Sequence, residues 1–195
     1  METVVIIGGL HIFEELVGIH CIVLMKNMDH VIYLALGGNM GDRQQILKEA
    51  IRKICLFAND EGVCSKFYET VPVGFRSDNL FLNCVIKLKT DHTPFEWLEY
   101  TQLLERELGR TSKSINLNYK DRPVDIDILL YDDMQLDIVS PKALSIPHPR
   151  MLKRAFVMIP LCDIDDKLSI PGSDLTSGQA MALLPKEDLT SIRTL

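Results

Sequence analysis

Two aspartates, Asp125 and Asp127, are the residues of this chain whose type and spacing most clearly suggest chemistry. They interrupt an apolar run over residues 122–131, and its β-branched side chains predict a buried strand. Because side chains alternate along a strand, both carboxylates should lie on one face. The alternate apolar side chains should point into a core, and these are Val124, Ile126, Ile128 and Leu130. Two parallel carboxylates repel each other but can hold one or two hard divalent cations.

Other interpretations of the aspartate pair remain open at this point. A solvated strand face, or an aspartate pair that caps nearby backbone groups, would carry the same short pattern. Positive charge around the strand favours a binding site, because it could hold an anionic substrate next to the metal. Cations precede the strand and a Pro-His-Pro-Arg segment follows it; these are Arg110, Lys113, Lys120, Arg122 and residues 147–150.

Composition limits the class of protein. The chain has 195 residues, of which 47% are apolar and 25% are charged, which is typical of one globular domain with a full core. A net charge of −6 disfavours nucleic acid as a partner, and an anionic substrate would need a local basic pocket. The five cysteines are scattered and form no C-x-x-C motif. This usage argues against a disulfide framework or a zinc site and fits the reducing cytoplasm.

The first 30 residues form an apolar extension with two interpretations. Residues 4–25 are strongly apolar, but Glu14 and Glu15 in their middle make a membrane-spanning helix costly. No basic leader with a small-residue cleavage site is visible, so we expect neither a signal peptide nor a membrane partner. We favour Met28 as the natural start, which makes residues 31–195 the functional domain. The alternative is a real extension that packs on the domain or on a partner.

The order of predicted elements is β-α-β-β-α-β, which is an α+β fold of the split βαβ or ferredoxin-like kind. Asp42 and Thr93 should cap the two helices, since each has Gln or Glu three residues later. Gly109 should end the second helix, and residues 37–41 should form a tight turn rather than a phosphate-binding loop. We expect four strands, over residues 31–36, 63–70, 81–88 and 122–131. The part from Ser140 onward should consist of added loops and short helices.

Four segments in order resemble the hydroxymethyl-dihydropterin pyrophosphokinase family. They are residues 35–43; residues 67–74 followed by 81–83; residues 108–110 followed by 121–131; and residues 146–151 followed by 154–156. Each segment alone is a weak signal, whereas four in family order, within a match over residues 31–184, are a strong one. The resemblance implies a cytoplasmic folate-pathway enzyme that transfers a diphosphate from ATP to a pterin alcohol and releases AMP. We expect no fused folate-pathway domain within this chain.

The resemblance also implies the catalytic residues. Asp125 and Asp127 would hold two Mg2+ ions against the phosphates of ATP, the co-substrate. Arg110 and Arg122 would clamp the phosphates during transfer, a task that suits the planar and permanently charged guanidinium group. The pterin alcohol would attack the β-phosphorus, in a reaction that depends mostly on positioning and charge stabilisation.

The family's substrate contacts fall on two further sets of residues. Phe81 and Phe156 would sandwich the flat pterin ring, and Asn83 would pair with its mixed donor and acceptor edge. The other pterin contacts would be Thr70, Pro72, Val73, Gly74 and Tyr119. The ATP contacts would be Gln102, Glu105, Lys113, Arg122, Ile128, Ser145, His148 and Arg154. Taken singly, Phe81 or Phe156 would be a better candidate for core packing, and Gln102 and Glu105 for a solvated helix face.

Several positions depart from the family pattern. Gly38 replaces a common serine, with little consequence expected, and Asp121 stands where proline is common. Tyr119 replaces a frequent tryptophan but can still stack. The polar loop over residues 111–121 is less basic than usual, and we expect it to close over bound substrates. A catalytically silent ferredoxin-like module and a metal-dependent nuclease are the rival interpretations. The first is disfavoured because the acids, arginines and aromatic residues are all present, and the second by the negative net charge.

Overall fold

The computed structural model describes residues 5–7, 10–12, 29–110 and 120–195. Its main sheet has six strands, which are β3 (His30–Gly38), β4 (Val63–Cys64), β5 (Tyr68–Thr70), β6 (Phe81–Thr90), β7 (Asp125–Tyr131) and β10 (Arg193–Thr194). The strand order is β10-β5-β6-β3-β7, with β4 also paired to β6, and all the pairings are antiparallel. Two small antiparallel pairs lie outside this sheet: β1 (Val5–Ile7) with β2 (Leu10–Ile12), and β8 (Leu136–Ile138) with β9 (Leu144–Ile146).

Two helices cover one face of the sheet, as their apolar spacing predicts. Helix α1 (Arg43–Ala58) begins at Asp42, whose side chain accepts a hydrogen bond from the Gln45 backbone, and α2 (Pro94–Glu107) begins with a complete Thr93–Glu96 capping box. Both predicted caps are confirmed. The first core between these helices and the sheet contains the fully buried Trp97. No helix among the described residues is both long and apolar enough to cross a membrane.

The opposite face of the sheet is covered by the C-terminal part of the chain. Helix α3 (Ala155–Ile164) packs with α4 (Ser177–Ala182) over a second core that includes Tyr33, Val85 and Met158. A short 3-10 helix (Met151–Lys153) precedes α3, and α5 (Lys186–Thr190) follows α4. The prediction of added loops and short helices after Ser140 was therefore incomplete. The apolar α3 sequence supplies Ala155, Val157, Met158 and Leu161 to this second core, and strand β6 is buried on both faces because of it.

Strand β7 carries an irregularity that the alternating pattern does not predict. Tyr33 pairs with Leu130 but Leu34 pairs with Ile128, so Leu129 is an extra residue in the ladder. As a result, Ile126 and Ile128 lie in the first core, whereas Leu130 lies in the second. The prediction that Leu130 shares the face of Ile126 was wrong. Before the irregularity the alternation holds, and it directs Asp125 and Asp127 to the face that carries α3.

The predicted strand over residues 63–70 is interrupted. It forms β4 and β5, with Ser65 and Lys66 between them. The Ser65 hydroxyl accepts a hydrogen bond from the Val85 backbone at 3.0 Å, and the Lys66 backbone donates to Asp163 at 2.8 Å. These polar contacts turn the chain out of the ladder, and β5 then leads into the loop that borders the cavity described next.

Candidate active site

One cavity collects most of the residues that the sequence predicts for a site. It lies beside the ends of β3, β5, β6 and β7 and the start of α3. Ten predicted site residues line it: Thr70, Val73, Gly74, Phe81, Asn83, Arg122, Asp125, Asp127, Arg154 and Phe156. They come from segments distant in sequence, so the sheet brings the four motif segments to one place.

The wall formed by β5, β6 and the loop between them combines aromatic rings with buried polar groups; we call it the aromatic wall (Thr70, Phe75, Phe81 and Asn83). Phe81 is 8% exposed, and Phe75 meets it edge to face with ring centroids 6.0 Å apart. The Asn83 amide donates to the Thr70 hydroxyl at 2.9 Å. A side chain at Gly37 would place its Cβ 2.6 Å from the Asn83 Oδ1. The wall therefore presents a fixed ring face beside a fixed carboxamide, which suits a flat heteroaromatic ligand.

The start of β7 and the residues paired with it form a charged network; we call it the charged wall (Glu105, Arg110, Arg122, Asp125 and Asp127). Arg122, Asp125 and Asp127 line the cavity, whereas the predicted site residues Glu105 and Arg110 do not. Arg110 forms an ion pair with Asp125 and another, at 2.6 Å, with Glu105. The Arg122 Nη2 lies 2.9 Å from the Asp125 Oδ2. These guanidinium groups compensate the carboxylates, which explains how like charges can lie two residues apart on one strand face.

Two arginines connect aromatic rings with the aspartate pair. The Arg122 guanidinium lies 5.6 Å from the Phe81 ring centroid while it pairs with Asp125. The Arg154 guanidinium lies 5.4 Å from the Phe156 centroid and 3.3 Å from the Asp127 Oδ2. Each of the two predicted ring-binding phenylalanines thus lies under an arginine that reaches one carboxylate. This arrangement places cations between the two aromatic rings and the aspartate pair.

Glu105 has a structural role that its helix position does not suggest. It is buried, and its Oε1 accepts a hydrogen bond from the Ile126 backbone at 2.8 Å. Strand β7 is at the edge of the sheet, so this carboxylate satisfies an amide group between the two aspartates. The pKa of Glu105 is raised to about 7, mainly by burial and then by the nearby negative charge of Asp125.

His148 approaches the same pair from the segment after β9. Its Nε2 lies 3.7 Å from the Asp127 Oδ2, and its backbone N–H donates to Leu129 at 2.9 Å. Burial lowers the pKa of His148. The imidazole is therefore neutral near neutral pH and contacts Asp127 as a polar group rather than as a cation.

Several predicted contacts lie outside the cavity lining. The Ile128 side chain is buried in the first core, so a nucleotide could meet only its backbone. The Ser145 hydroxyl donates to Asp137 at 2.7 Å within the β8–β9 pair. Pro72 and Gln102 are half-buried and do not line the cavity. Lys113, Tyr119 and the expected closure of the 111–121 loop fall on residues 111–119, which are outside the described residues.

The cavity also contains residues that the sequence reasoning missed. Phe75, Arg150 and Lys153 line it. Lys153 directly precedes Arg154 on the short 3-10 helix, and Arg150 follows the histidine of the Pro-His-Pro-Arg segment. Both cations are exposed and could have been found by treating residues 147–154 as one basic segment. Phe75 follows Gly74 in a loop, where the sequence carries no periodic signal.

Gly38 has a consequence that the sequence comparison did not predict. A Cβ at this position would lie 2.0 Å from the Pro123 carbonyl oxygen. Serine could not be accommodated without a shift of the backbone before β7. The expectation that the departure from serine has little consequence was therefore wrong for this chain, because Gly38 allows the segment that carries Arg122 to approach β3.

The donors at the charged wall fit a hard divalent cation. The Asp125 and Asp127 side chains are 23% and 34% exposed and both border the cavity. Among the residues that the structure describes, no group of three or more histidine, cysteine or acidic side chains could form a closed metal site. Two carboxylates without further protein ligands are typical of Mg2+, which is usually held by one or two carboxylates, waters and substrate phosphates.

Comparison with known proteins agrees with the geometry. The profile of the 7,8-dihydro-6-hydroxymethylpterin-pyrophosphokinase (HPPK) family matches residues 33–166. A 2-amino-4-hydroxy-6-hydroxymethyldihydropteridine pyrophosphokinase of Porphyromonas gingivalis is 45% identical over 134 residues, which cover 69% of this chain and 90% of the relative. The enzyme of that name from Bacillus subtilis is 40% identical over 138 residues, covering 70% of this chain and 79% of the relative.

Solved structures show the same fold at low sequence identity. A crystal structure of a Plasmodium falciparum HPPK-DHPS triple mutant with SDX-DHP superimposes with a TM-score of 0.68 and 15% identity. The match covers 90% of this chain and 49% of that chain. At this identity the likeness shows the fold alone, a mixed fold of helices around an antiparallel sheet.

Proposed function

The chain belongs to the 7,8-dihydro-6-hydroxymethylpterin-pyrophosphokinase family and is a pyrophosphokinase of folate biosynthesis, and we propose how its cavity performs the transfer. The pterin alcohol binds against the aromatic wall, and the ATP phosphates lie against the charged wall. A diphosphate passes from ATP to the hydroxymethyl group of 6-hydroxymethyl-7,8-dihydropterin, and AMP leaves.

One observation carries this proposal. Phe81 and Asn83 border the same cavity as Asp125 and Asp127, and Arg122 contacts Phe81 and Asp125 together. A ring bound on Phe81 would have its substituent close to the phosphates that the aspartates and Arg122 attract. That proximity turns a reaction between two substrates into one within a single complex, which is a large part of catalysis by positioning.

The chain's own residues have distinct tasks in the transfer. Phe81 and Phe156 stack on the pterin, and Asn83 selects its edge. The hydroxyl oxygen attacks the β-phosphorus and releases its proton to solvent. The bond from that phosphorus to the oxygen bridging to the α-phosphate breaks, and this oxygen leaves with AMP. Arg110, Arg122 and Arg154 stabilise the negative charge that spreads over the phosphate oxygens. Arg150 and Lys153 border the cavity as further cations for the same phosphates.

Two Mg2+ ions are proposed as the cofactor, held by Asp125 and Asp127. When bound, they would neutralise phosphate charge and align the reacting groups. The arginines that pair with these carboxylates would then be available to the substrate phosphates. Each carboxylate would thus be compensated with or without substrate.

The identity of the nucleotide product tests the proposed reaction. When the protein is incubated with ATP, magnesium chloride and the pterin alcohol, AMP and the pterin diphosphate should form in equal amounts. Chromatography measures both products. The matched control is Asp127→Asn, which keeps the side-chain shape and should yield neither. Formation of ADP instead would mean that a single phosphate is transferred, and the proposed diphosphate transfer would be wrong. If neither nucleotide product appeared while both ligands bound, the rival interpretation of a silent binding module would replace it.

The finer fold assignment, location and boundaries are also proposals. The core follows the ferredoxin-like βαββαβ arrangement, which is supported by the order β5-β6-β3-β7 with antiparallel neighbours and by one helix after β3 and one after β6. A cytoplasmic location is supported by the described cysteines, which are all free thiols. The functional domain spans residues 31–195, since the main sheet begins at His30 and its last strand ends at Thr194.

A further inference from the structure

Asp121 connects three segments around the cavity. Its Oδ1 accepts a hydrogen bond from the Asn39 side chain at 2.7 Å, and its Oδ2 accepts one from the Asn79 side chain at 2.9 Å. Asn39 follows β3, Asn79 belongs to the loop between β5 and β6, and Asp121 precedes β7. One carboxylate thus joins the ends of three elements that line the site.

The Asn39 contact reaches the backbone of Arg122. Asn39 is 3% exposed; its Oδ1 accepts from the Arg122 backbone at 2.8 Å, and its own backbone donates to the Arg122 carbonyl at 2.9 Å. Asp121 holds the amide end of the same side chain. The Asn39 amide also donates to the Asn79 carbonyl, at the longer distance of 3.4 Å. Asp121 is therefore the closer of two acceptors that orient the Asn39 carboxamide, and through it the backbone of Arg122.

The Asn79 contact reaches the loop over residues 71–80, which we call the substrate loop. This loop supplies Val73, Gly74 and Phe75 to the cavity. Its C-terminal end is held by Arg43, which donates to the Leu80 carbonyl at 2.8 Å. In the middle of the loop the Asn79 backbone donates to the Ser77 hydroxyl at 3.1 Å. Hydrogen bonds from Ser77, Asn39 and Asn79 lower the pKa of Asp121, so its carboxylate is charged at neutral pH.

We propose that Asp121 is a positioning residue that couples the substrate loop to Arg122, so that pterin binding and placement of the transferring arginine depend on one another. The inference rests on the proposed function, because it assigns the pterin to the aromatic wall and the phosphates to Arg122. Asp121 touches neither reacting group and acts through Asn39 and Asn79. An acid is needed here because two carboxamide N–H groups point at it, and each of its oxygens can accept.

Substitution of Asp121 tests the coupling. Asp121→Asn keeps the size but replaces one acceptor with a donor that faces another donor, so affinity for the pterin alcohol should fall about fivefold to tenfold. Calorimetric titration of the pterin in the presence of a non-hydrolysable ATP analogue measures this without turnover. ATP affinity should stay within about twofold, because Arg154, Lys153 and the aspartates are unchanged. Asp121→Glu, which keeps both acceptors, should restore part of the loss.

The matched control is Asp60→Asn. Asp60 is half-buried like Asp121 and accepts a backbone hydrogen bond, from Lys89 at 2.9 Å, but it does not line the cavity. The Asp60→Asn variant should lower the melting temperature by about as much as Asp121→Asn does, and it should leave the affinity for the pterin unchanged. If the two variants changed pterin affinity equally, Asp121 would have only a structural role and the inference would be wrong.

A double-mutant cycle gives a second, independent decision. Asn79→Ala removes the side chain that Asp121 holds in the substrate loop. If the coupling runs through this pair, adding Asn79→Ala to Asp121→Asn should cost little further pterin affinity. Fully additive losses would overturn the coupling. A wild-type protein that bound the pterin but formed no AMP would instead contradict the proposed reaction, while the binding cycle would still decide the role of Asp121.

Discussion

The aromatic wall and the charged wall border one cavity but are built in different ways. The aromatic wall is held by the sheet itself, since Phe81 and Asn83 lie on the central strand β6 and pair with Thr70 and Gly37 of its neighbours. The charged wall surrounds the start of the edge strand β7, and its charges are held by one another. Under the proposed function, packing would give specificity for the ring, and a network of ion pairs would stabilise the phosphate charge.

This difference implies different responses to mutation. A residue of the aromatic wall contributes to both the core and the ligand site, so its removal should affect stability together with binding. Removal of a charged-wall residue should mainly affect the step in which the phosphate charge develops, with a loss of stability only where its ion-pair partners are buried. The predictions below test this distinction in order of expected effect.

The largest effect should come from the aspartate pair. Asp127→Asn should lower kcat by about a thousandfold, because the hard-cation ligand is lost, with the melting temperature nearly unchanged. Asp125→Asn should be equally inactive but less stable, since Asp125 pairs with Arg110 and Arg122, whose side chains are 11% and 14% exposed. Steady-state kinetics and thermal melts would check both.

The control for the aspartate pair is Asp137→Asn. Asp137 is also on a strand and accepts a hydrogen bond, from Ser145, yet it does not line the cavity. Its variant should keep nearly full activity. Near-normal turnover of Asp127→Asn with magnesium would show that this carboxylate is not a metal ligand.

The second effect concerns Arg122. Arg122→Ala should lower kcat by about a hundredfold, as expected for loss of one group that stabilises transition-state charge, while ATP affinity changes much less. Because Arg122 also lies over Phe81, pterin affinity should fall modestly. Arg52→Ala is the control, since Arg52 pairs with Glu49 on the exposed surface of α1. A loss of ATP affinity as large as the loss of kcat would make Arg122 a simple binding residue.

The third effect separates the two phenylalanines. Phe156→Ala should weaken pterin binding about tenfold and ATP binding little, because stacking and burial on one face are lost. Phe81→Ala should do the same and in addition lower stability by about 3 kcal/mol, since Phe81 is 8% exposed and packs against Phe75. Titration with each ligand would measure the affinities, and chemical denaturation would measure the free energy of unfolding. Equal losses for pterin and ATP would indicate a collapsed site instead.

The sequence predicted the two central strands β3 and β6 and both helix caps because these depend on local patterns. Asp42, Thr93 and Gly109 lie in or beside their predicted turns, and β3 and β6 include their predicted ranges. The second core was missed because α3 is apolar on nearly all sides, and such a helix carries no periodic signal. The displacement of Leu130 was missed because a bulge depends on the partner strand.

The charged wall was predicted in composition but not in its connections. Spacing and resemblance named Arg110, Arg122 and the aspartates. The pair of Arg110 with Glu105 is local, but the hydrogen bond from the Ile126 backbone to Glu105 forms only where β7 packs beside α2. The role of Asp121 was hidden for the same reason, since its partners come from two other segments. Local patterns thus identify which residues act, whereas long-range pairing decides how each one is held.

The smallest effect concerns Glu105 and tests whether burial within the charged wall has a measurable cost. The pKa of Glu105 is raised to about 7, so the folded protein binds a proton more tightly than the unfolded chain. Its contribution to stability is therefore greatest at acid pH and is lost as pH rises towards 7. In the Glu105→Gln variant the side chain does not ionise, yet its amide oxygen can still accept the hydrogen bond from the Ile126 backbone. Its melting temperature relative to wild type should rise by about 2 °C or more between about pH 5 and pH 8, with a chelator present.

Glu99→Gln is the control, since Glu99 is exposed on the same helix and pairs with Lys142. A difference that stayed flat with pH would mean that the pair with Arg110 keeps Glu105 ionised throughout, and the charged wall would then be no less stable for holding a buried acid.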